Sequence, residues 1–116
     1  MDERIEKAFE VANYMATLSN QRRITLEEYN QKLVHYINGA TFKITPELIN
    51  LTKSIIDLGQ TTDVAFIDAN NYPVIIPNVQ EFFDTIIAVY FEATNEYAAK
   101  YAGLKSKRKI ADIVEL

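Results

Sequence analysis

Residues 41–59, TFKITPELINLTKSIIDLG, carry the clearest structural signals of the chain. Thr45-Pro46-Glu47 combines a side chain that can cap a helix, a proline suited to the first turn and an acidic residue that complements the helix dipole. Apolar residues then recur on one helical face: Leu48, Leu51, Ile55 and Leu58. Gly59 provides a stop, and residues 41–44 alternate in polarity as a short strand does. The stretch predicts a strand followed directly by a helix.

Upstream, residues 2–38 contain neither Gly nor Pro and carry apolar side chains at helical spacing. This pattern predicts one long N-terminal helix, ended by Gly39 in a left-handed conformation. The polar segment 19–23 allows a second interpretation, in which the helix breaks and restarts at the capping-box pattern of residues 25–28. We favour the continuous helix because no Gly or Pro enforces a break.

Downstream, residues 63–68 are predicted to form a strand and residues 72–76 the returning arm of a hairpin. The turn falls at residues 69–71, because Asn tolerates positive φ. Pro73 lacks a backbone donor, so this arm is expected to lie at a sheet edge or to begin after that residue.

The last helix is predicted to follow Asn78, which can act as its N-cap, and to end at Gly103. Residues 104–116 then form a basic hinge and an amphipathic tail. We therefore expect a single, mostly helical α+β domain over residues 1–103. Its predicted order is a long N-terminal helix, a short strand, a helix, a β-hairpin and a long C-terminal helix, followed by the short tail.

Composition excludes several classes of function. The 116 residues include no Cys, so disulfides and thiolate metal sites are excluded. A net charge of −4 argues against general nucleic-acid binding. No apolar run approaches the length of a membrane span, so we expect no membrane insertion. The first residues lack the basic start and apolar stretch of a secretory signal. This predicts that the chain stays in the cytoplasm or in a particle assembled there.

No constellation of side chains predicts catalysis, a cofactor or a bound metal. His35 is the only histidine, and we interpret it as a capping or surface residue near the end of the first helix. Asp63, Asp68, Asn70 and Asn71 lack the Gly and the distal Glu of a calcium loop, which favours hairpin-turn chemistry. The carboxylates are scattered and no Gly-rich phosphate loop occurs. The sequence therefore predicts a protein that is not an enzyme.

The last helix has an apolar arc of about half its circumference, whereas a surface helix needs roughly 100°. The excess predicts a second packing partner, either the small sheet or another protein chain. In one interpretation Phe82 and Phe91 cover the sheet; in the other they contact a partner. The residues expected at a partner interface are Phe82, Tyr90, Phe91, Tyr97, Ile110, Ile113 and Val114.

Two basic clusters stand out, Arg22-Arg23 and residues 105–109. The second suggests a contact with an anionic partner through Lys105, Lys107, Arg108 and Lys109. A solvated helix end, an acidic protein partner and weak nucleic-acid binding are the alternatives. The amphipathic tail after this cluster can dock on its own domain or on a neighbour.

Three segments together carry a family resemblance: residues 47–59, residues 64–76 and residues 82–97, the last ending in FEATNEY. They resemble small proteins of contractile-tailed phages of the T-even type, especially phages of marine bacteria. The resemblance implies a virion component or an assembly factor, located in the virion or the host cytoplasm. We therefore expect protein partners, either copies of this chain or other virion proteins, in an oligomer or larger assembly. An assembly chaperone or a regulatory protein that binds a host or phage factor is the alternative.

Overall fold

A computed structural model describes residues 2–115, and the side chains of residues 2–106. The elements are α1 (Glu3–Lys32), β1 (Val34–Ile37), β2 (Ala40–Lys43), α2 (Pro46–Asp57), β3 (Thr62–Ile67), β4 (Pro73–Asn78) and α3 (Val79–Glu115). This mostly helical α+β order confirms the predicted fold class. The chain divides into two compact units: a sheet unit, Asn30–Thr94, and a helical unit made of Met1–Tyr29 and Asn95–Leu116 in their described parts.

The first helix is continuous through residues 19–23, which confirms the favoured interpretation. Its predicted end near Asn38 is wrong, because α1 stops at Lys32 and residues 34–37 form β1. His35 accordingly lies in a strand and not at a helix terminus. The segment Val-His-Tyr-Ile is rich in β-branched and aromatic residues, which favour a pleated strand over a helix.

The first hairpin explains this correction. Ile37 pairs with Ala40, so Asn38 and Gly39 form a two-residue loop with φ angles of 50° and 78°. Two successive positive φ angles belong to a type I′ turn, whose twist matches that of the joined strands. Gly39 does have positive φ, as predicted, but it serves a hairpin rather than a helix end.

The end signals of α2 are confirmed, but its predicted apolar face is covered only in part. Leu48 and Ile55 are half-buried, whereas Leu51 and Leu58 are exposed and Thr52 is buried. The Leu48 backbone N–H donates to the Thr45 hydroxyl at 3.1 Å, with Pro46 in the first turn. The helix ends at Asp57, and Gly59 has a φ of 83°, the left-handed conformation expected after a helix.

The second hairpin pairs β3 with β4 in antiparallel register, from Thr62 opposite Asn78 to Ile67 opposite Pro73. Asn71 in the connecting turn has a φ of 65°, which fits the tolerance of Asn for this conformation. The Glu81 backbone N–H donates to the Asn78 side-chain oxygen at 3.0 Å, which confirms the predicted N-cap of α3.

The core of the sheet unit is aromatic. Phe42 from β2, Phe66 from β3 and Phe82 from α3 pack together with ring centroids 5.1 to 6.4 Å apart. The aliphatic side chains buried in the same unit are Leu33, Ile44, Ile76, Val79 and Ile86. One side of each hairpin and one side of α3 supply this core, as the strand and helix periodicities require.

The last helix does not end at Gly103, as predicted, but continues to Glu115. Gly103 is not among the residues with positive φ, so it takes no left-handed cap. An interior Gly costs only about 1 kcal/mol relative to Ala, too little to end a long helix. The backbone of the predicted hinge is therefore helical.

The side chains of the predicted tail contacts lie outside the described residues. These are the side chains of Lys107, Arg108, Lys109, Ile110, Ile113 and Val114. Their roles, and the separation of residues 104–116 from a 1–103 domain, stay predictions.

In the helical unit, α1 and α3 run antiparallel. Tyr29 stacks on Tyr97 at a centroid distance of 4.6 Å, and the Arg22 guanidinium lies 5.7 Å from the Tyr101 ring centre. Residues later in α3 thus contact residues earlier in α1, as expected for antiparallel helices. Leu18 is buried, and the half-buried side chains of α1 follow the same stripe: Val11, Met15, Thr25 and Tyr29. These positions have the alternating spacing of a coiled-coil seam.

Candidate protein-binding surfaces

The outward side of the second hairpin is apolar. Its strands alternate, so Val64, Phe66 and Ile76 point inward while their neighbours point outward. We call the outward side the hairpin face; it consists of Ala65, Ile67, Pro73 and Ile75, all exposed. Ile67 is 61% exposed and Ile75 is 54% exposed. These exposures are unusual for isoleucine in a strand whose other side is packed.

The hairpin face is continuous because its members are cross-strand pairs. Ala65 lies opposite Ile75, and Ile67 lies opposite Pro73. Directly opposite side chains in an antiparallel pair have Cβ atoms about 5 Å apart. The four residues therefore form one uncharged surface rather than scattered apolar side chains.

The outer edge of β4 offers few backbone donors. The Asp68 backbone N–H donates to the Tyr72 carbonyl at 2.9 Å, which sets the alternation of the ladder. By that alternation, residues 73, 75 and 77 direct their backbone groups away from β3. Pro73 and Pro77 have no N–H, so Ile75 carries the edge donor among them. The outer edge of β4 is thus poorly suited to accept an added strand.

Asp68 holds the turn between the two strands of the hairpin face. One carboxylate oxygen accepts the backbone N–H groups of Asn70 and Tyr72, each at 2.9 Å. The other oxygen accepts the Thr41 N–H at 3.3 Å, and the Ala69 N–H donates back to the Thr41 carbonyl at 2.8 Å. This buried carboxylate therefore ties the turn to β2 of the first hairpin.

The environment of Asp68 favours its charged form. The hydrogen bond from Tyr72 is the main reason that the pKa of Asp68 is lowered, and burial partly opposes it. The bonds from Thr41 and Asn70 lower the pKa further. Charge-assisted bonds of this kind are stronger than neutral ones. Asp68 has the turn role that the sequence favoured, and the described residues contain no cluster of metal-ligating side chains.

A groove lies between α1 and α3 in the helical unit, with a cavity volume of about 330 Å³. Its lining residues are Gln21, Ile24, Thr25, Lys100, Gly103 and Leu104. At Gly103 the groove has open space, because a Cβ atom at this position would meet nothing within 4 Å. The Lys100 ammonium at its rim bonds Glu28 and Glu96, each at 3.1 Å. The bond to Glu96 is the main reason that the pKa of Lys100 is raised.

The predicted partner-interface residues on α3 separate into two groups. Phe82 is 2% exposed and packs in the aromatic core, so it offers no surface to a partner and the intramolecular interpretation holds for it. Tyr97 stacks on Tyr29, and Tyr90 is half-buried beside Phe91. Phe91 is 55% exposed, so more than half of its surface is left uncovered within the chain.

The histidine and the basic residues that the sequence singled out can also be placed in the structure. The His35 ring lies 6.0 Å from that of Phe82, centre to centre. Arg23 forms an ion pair with Glu27 at 2.9 Å, and Arg22 lies over Tyr101. Exposed Lys105 is the described member of the second basic cluster.

The hairpin face was not predicted from the sequence. The signal was present, because residues 64–67 and 73–76 are apolar on both alternating sides. A hairpin with one solvated side normally alternates apolar with polar residues. Two apolar sides therefore indicate a second surface to be covered.

No family model, no curated protein and no solved structure matches this chain. Within the described part of the chain, no helix combines the length and apolar character needed to cross a membrane.

Proposed function

We propose that this chain is a non-enzymatic protein that acts through protein–protein contacts, with the hairpin face as a docking surface for another protein. The observation that carries this proposal is the exposure of Ile67 and Ile75 on one continuous apolar surface. A continuous, uncharged surface with a packed side beneath it suits the apolar centre of a protein interface.

The resemblance to T-even-type phage proteins supports the finer form of the proposal, a structural component of the virion. Such a component is held in place by permanent contacts, and permanent interfaces are more apolar than transient ones. Asp68 contributes by fixing the turn that keeps Ile67 and Pro73 in register. Its role is structural, as is that of Lys100 in the helical unit.

The test is the amount of chain incorporated into phage particles. Cells that supply the wild-type chain or a variant are infected with phage whose own copy of the gene is deleted. Purified virions are then analysed by quantitative mass spectrometry. We expect the wild-type chain at a fixed copy number, and Ile75→Lys reduced at least about tenfold, a change that corresponds to about 1.4 kcal/mol of binding free energy.

The matched control is Tyr36→Lys, at an exposed position of the other hairpin. Lysine is well tolerated on edge strands, so both variants should fold. Only Ile75→Lys should lose incorporation. Absence of the wild-type chain from virions would contradict the structural role; its presence in an assembly intermediate would then indicate an assembly chaperone. Equal incorporation of both variants would rule out the hairpin face.

A further inference from the structure

A second apolar stripe runs along α1, apart from the residues that face α3. It consists of Ile5, Phe9, Ala12 and Ala16, at intervals of four, three and four residues, and all four are exposed. Ile5 is 47% exposed and Phe9 is 59% exposed. At about 100° per residue, this stripe is centred roughly 130° from the half-buried seam of α1. We call it the second stripe.

The order of sizes along the second stripe is self-complementary. Two large side chains, Ile5 and Phe9, are followed by two small ones, Ala12 and Ala16. If a second α1 lies antiparallel, with the twofold axis between positions 10 and 11, Ile5 of each copy meets Ala16 of the other. Phe9 likewise meets Ala12. The interval pattern is that of coiled-coil positions d, a, d and a, and antiparallel coils place a opposite d.

We propose that two copies of this chain associate through their second stripes, with their α1 helices antiparallel. Such a contact is isologous, because the second stripe of each copy packs against the second stripe of the other. The partner is a second copy because the stripe complements itself, large against small, over its whole length. This proposal is independent of the hairpin face, which belongs to the sheet unit.

A parallel arrangement fits less well. It would place Phe9 against Phe9 and Ala12 against Ala12, which crowds one layer and leaves the next empty. Protein interfaces pack as densely as interiors, and gaps forfeit their dispersion contacts. The antiparallel pairing gives every layer one large and one small side chain.

Charge is compatible with this pairing. The positions that flank the second stripe are Glu6 and Asn13 on one side and Ala8 and Met15 on the other. No two like charges face each other across the twofold axis. The next layer outward pairs Asp2 with Ser19, whose hydroxyl can donate to the carboxylate. The contact then spans residues 2–19, of which residues 3–19 are helical and extend over roughly 26 Å at 1.5 Å per residue.

The first test is the solution mass of the purified full chain, by light scattering after size exclusion over a range of concentrations. The wild-type chain should reach twice its 13.3 kDa. Ala12→Glu places a charge at the centre of the contact, while Glu remains a good helix former. This variant should stay at 13.3 kDa over the same concentrations.

The matched control is Thr17→Glu, which adds the same charge to an exposed position outside both stripes. It should dimerise as the wild type does. A wild-type chain that remains monomeric at the highest soluble concentration overturns the proposal, as does an unchanged dimer for Ala12→Glu. Ile75→Lys should leave the dimer intact, so failure of the hairpin face and failure of the dimer are separate results.

The second test fixes the orientation and uses the absence of cysteine from the chain. Asp2→Cys and Ser19→Cys are prepared as separate variants and oxidised alone or mixed. The antiparallel pairing predicts a disulfide-linked dimer only in the mixture, one molecule of each variant. Covalent dimers from Ser19→Cys alone would overturn the antiparallel orientation. Absence of the mixed product would overturn the register.

Discussion

The sheet unit and the helical unit differ in how many large apolar side chains they bury completely. The largest fully buried side chains of the described residues all belong to the sheet unit: Phe42, Phe82, Ile44, Ile76, Ile86, Val79 and Thr52. In the helical unit, Leu18 and Leu104 are buried, while Ile5, Phe9 and Ile24 are substantially exposed. Both units nevertheless leave apolar side chains exposed: Ile67 and Ile75 in the sheet unit, and Ile5 and Phe9 in the helical unit. Composition reflects part of this difference, because five of the six Phe residues lie in the sheet unit and only Phe9 lies in the helical unit.

The largest expected effect separates two phenylalanines of the same helix. Phe82→Ala removes a ring from the aromatic core and should lower the free energy of unfolding by about 3–5 kcal/mol. Phe91→Ala, at an exposed position, should change it by about 0.5 kcal/mol or less. Denaturant unfolding of both variants measures the difference. Similar losses would mean that Phe91 is covered within the chain after all.

The next largest effect is on the free energy of unfolding at acid pH, to which Asp68 contributes. The lowered pKa of Asp68 means that the folded state binds its proton at lower pH than the unfolded state does. Its contribution to stability is therefore complete above the ordinary Asp value of 3.8 and is lost as the pH falls through the folded value. Asp68→Asn should flatten the stability curve in this acid range. Unfolding midpoints measured between neutral and strongly acid pH test this, and parallel curves for the two proteins would contradict it.

The smallest effect is the change in stability when either of two glycines is replaced by Ala. Its sign is expected to differ between the two units. Gly39→Ala forces a left-handed φ on a side-chain residue and should destabilise by about 1 kcal/mol. Gly103→Ala, inside α3 with open space around the added methyl, should stabilise by about 0.5–1 kcal/mol. Thermal unfolding of both variants is sufficient. A loss of stability for Gly103→Ala would show that α3 bends or ends at this residue.

Elements with dedicated end signals were predictable from the sequence. The caps at Thr45 and Asn78 and the stop at Gly59 each act through groups within a few residues, so local sequence determines them. The continuity of α1 followed in the same way from the lack of any Gly or Pro over residues 2–38.

The first hairpin was missed because Asn38-Gly39 has two uses. Positive φ at the Gly suits both a helix end and a type I′ turn. The preceding strand decides between them, and Ile37 opposite Ala40 is a pairing that helical spacing does not reveal. Gly103 was wrongly predicted to end α3, because a glycine without positive φ is compatible with a helix interior.

The candidate surfaces were less predictable than the elements. The wide apolar arc of α3 correctly indicated more than one packing surface, but Phe82 faces the core and Phe91 does not. That distinction depends on how α3 rotates against the sheet, which tertiary packing fixes. The hairpin face and the second stripe depend on which side of each element the rest of the unit covers.

The two prolines at the outer edge of β4 have a consequence for crowded conditions. A strand with free backbone donors and an apolar side is a template for cross-β aggregation. Pro73 and Pro77 interrupt that template at alternate positions, so copies at high concentration cannot add strands in register there. Ile67 and Ile75 can thus stay exposed while this edge resists growth into fibrils.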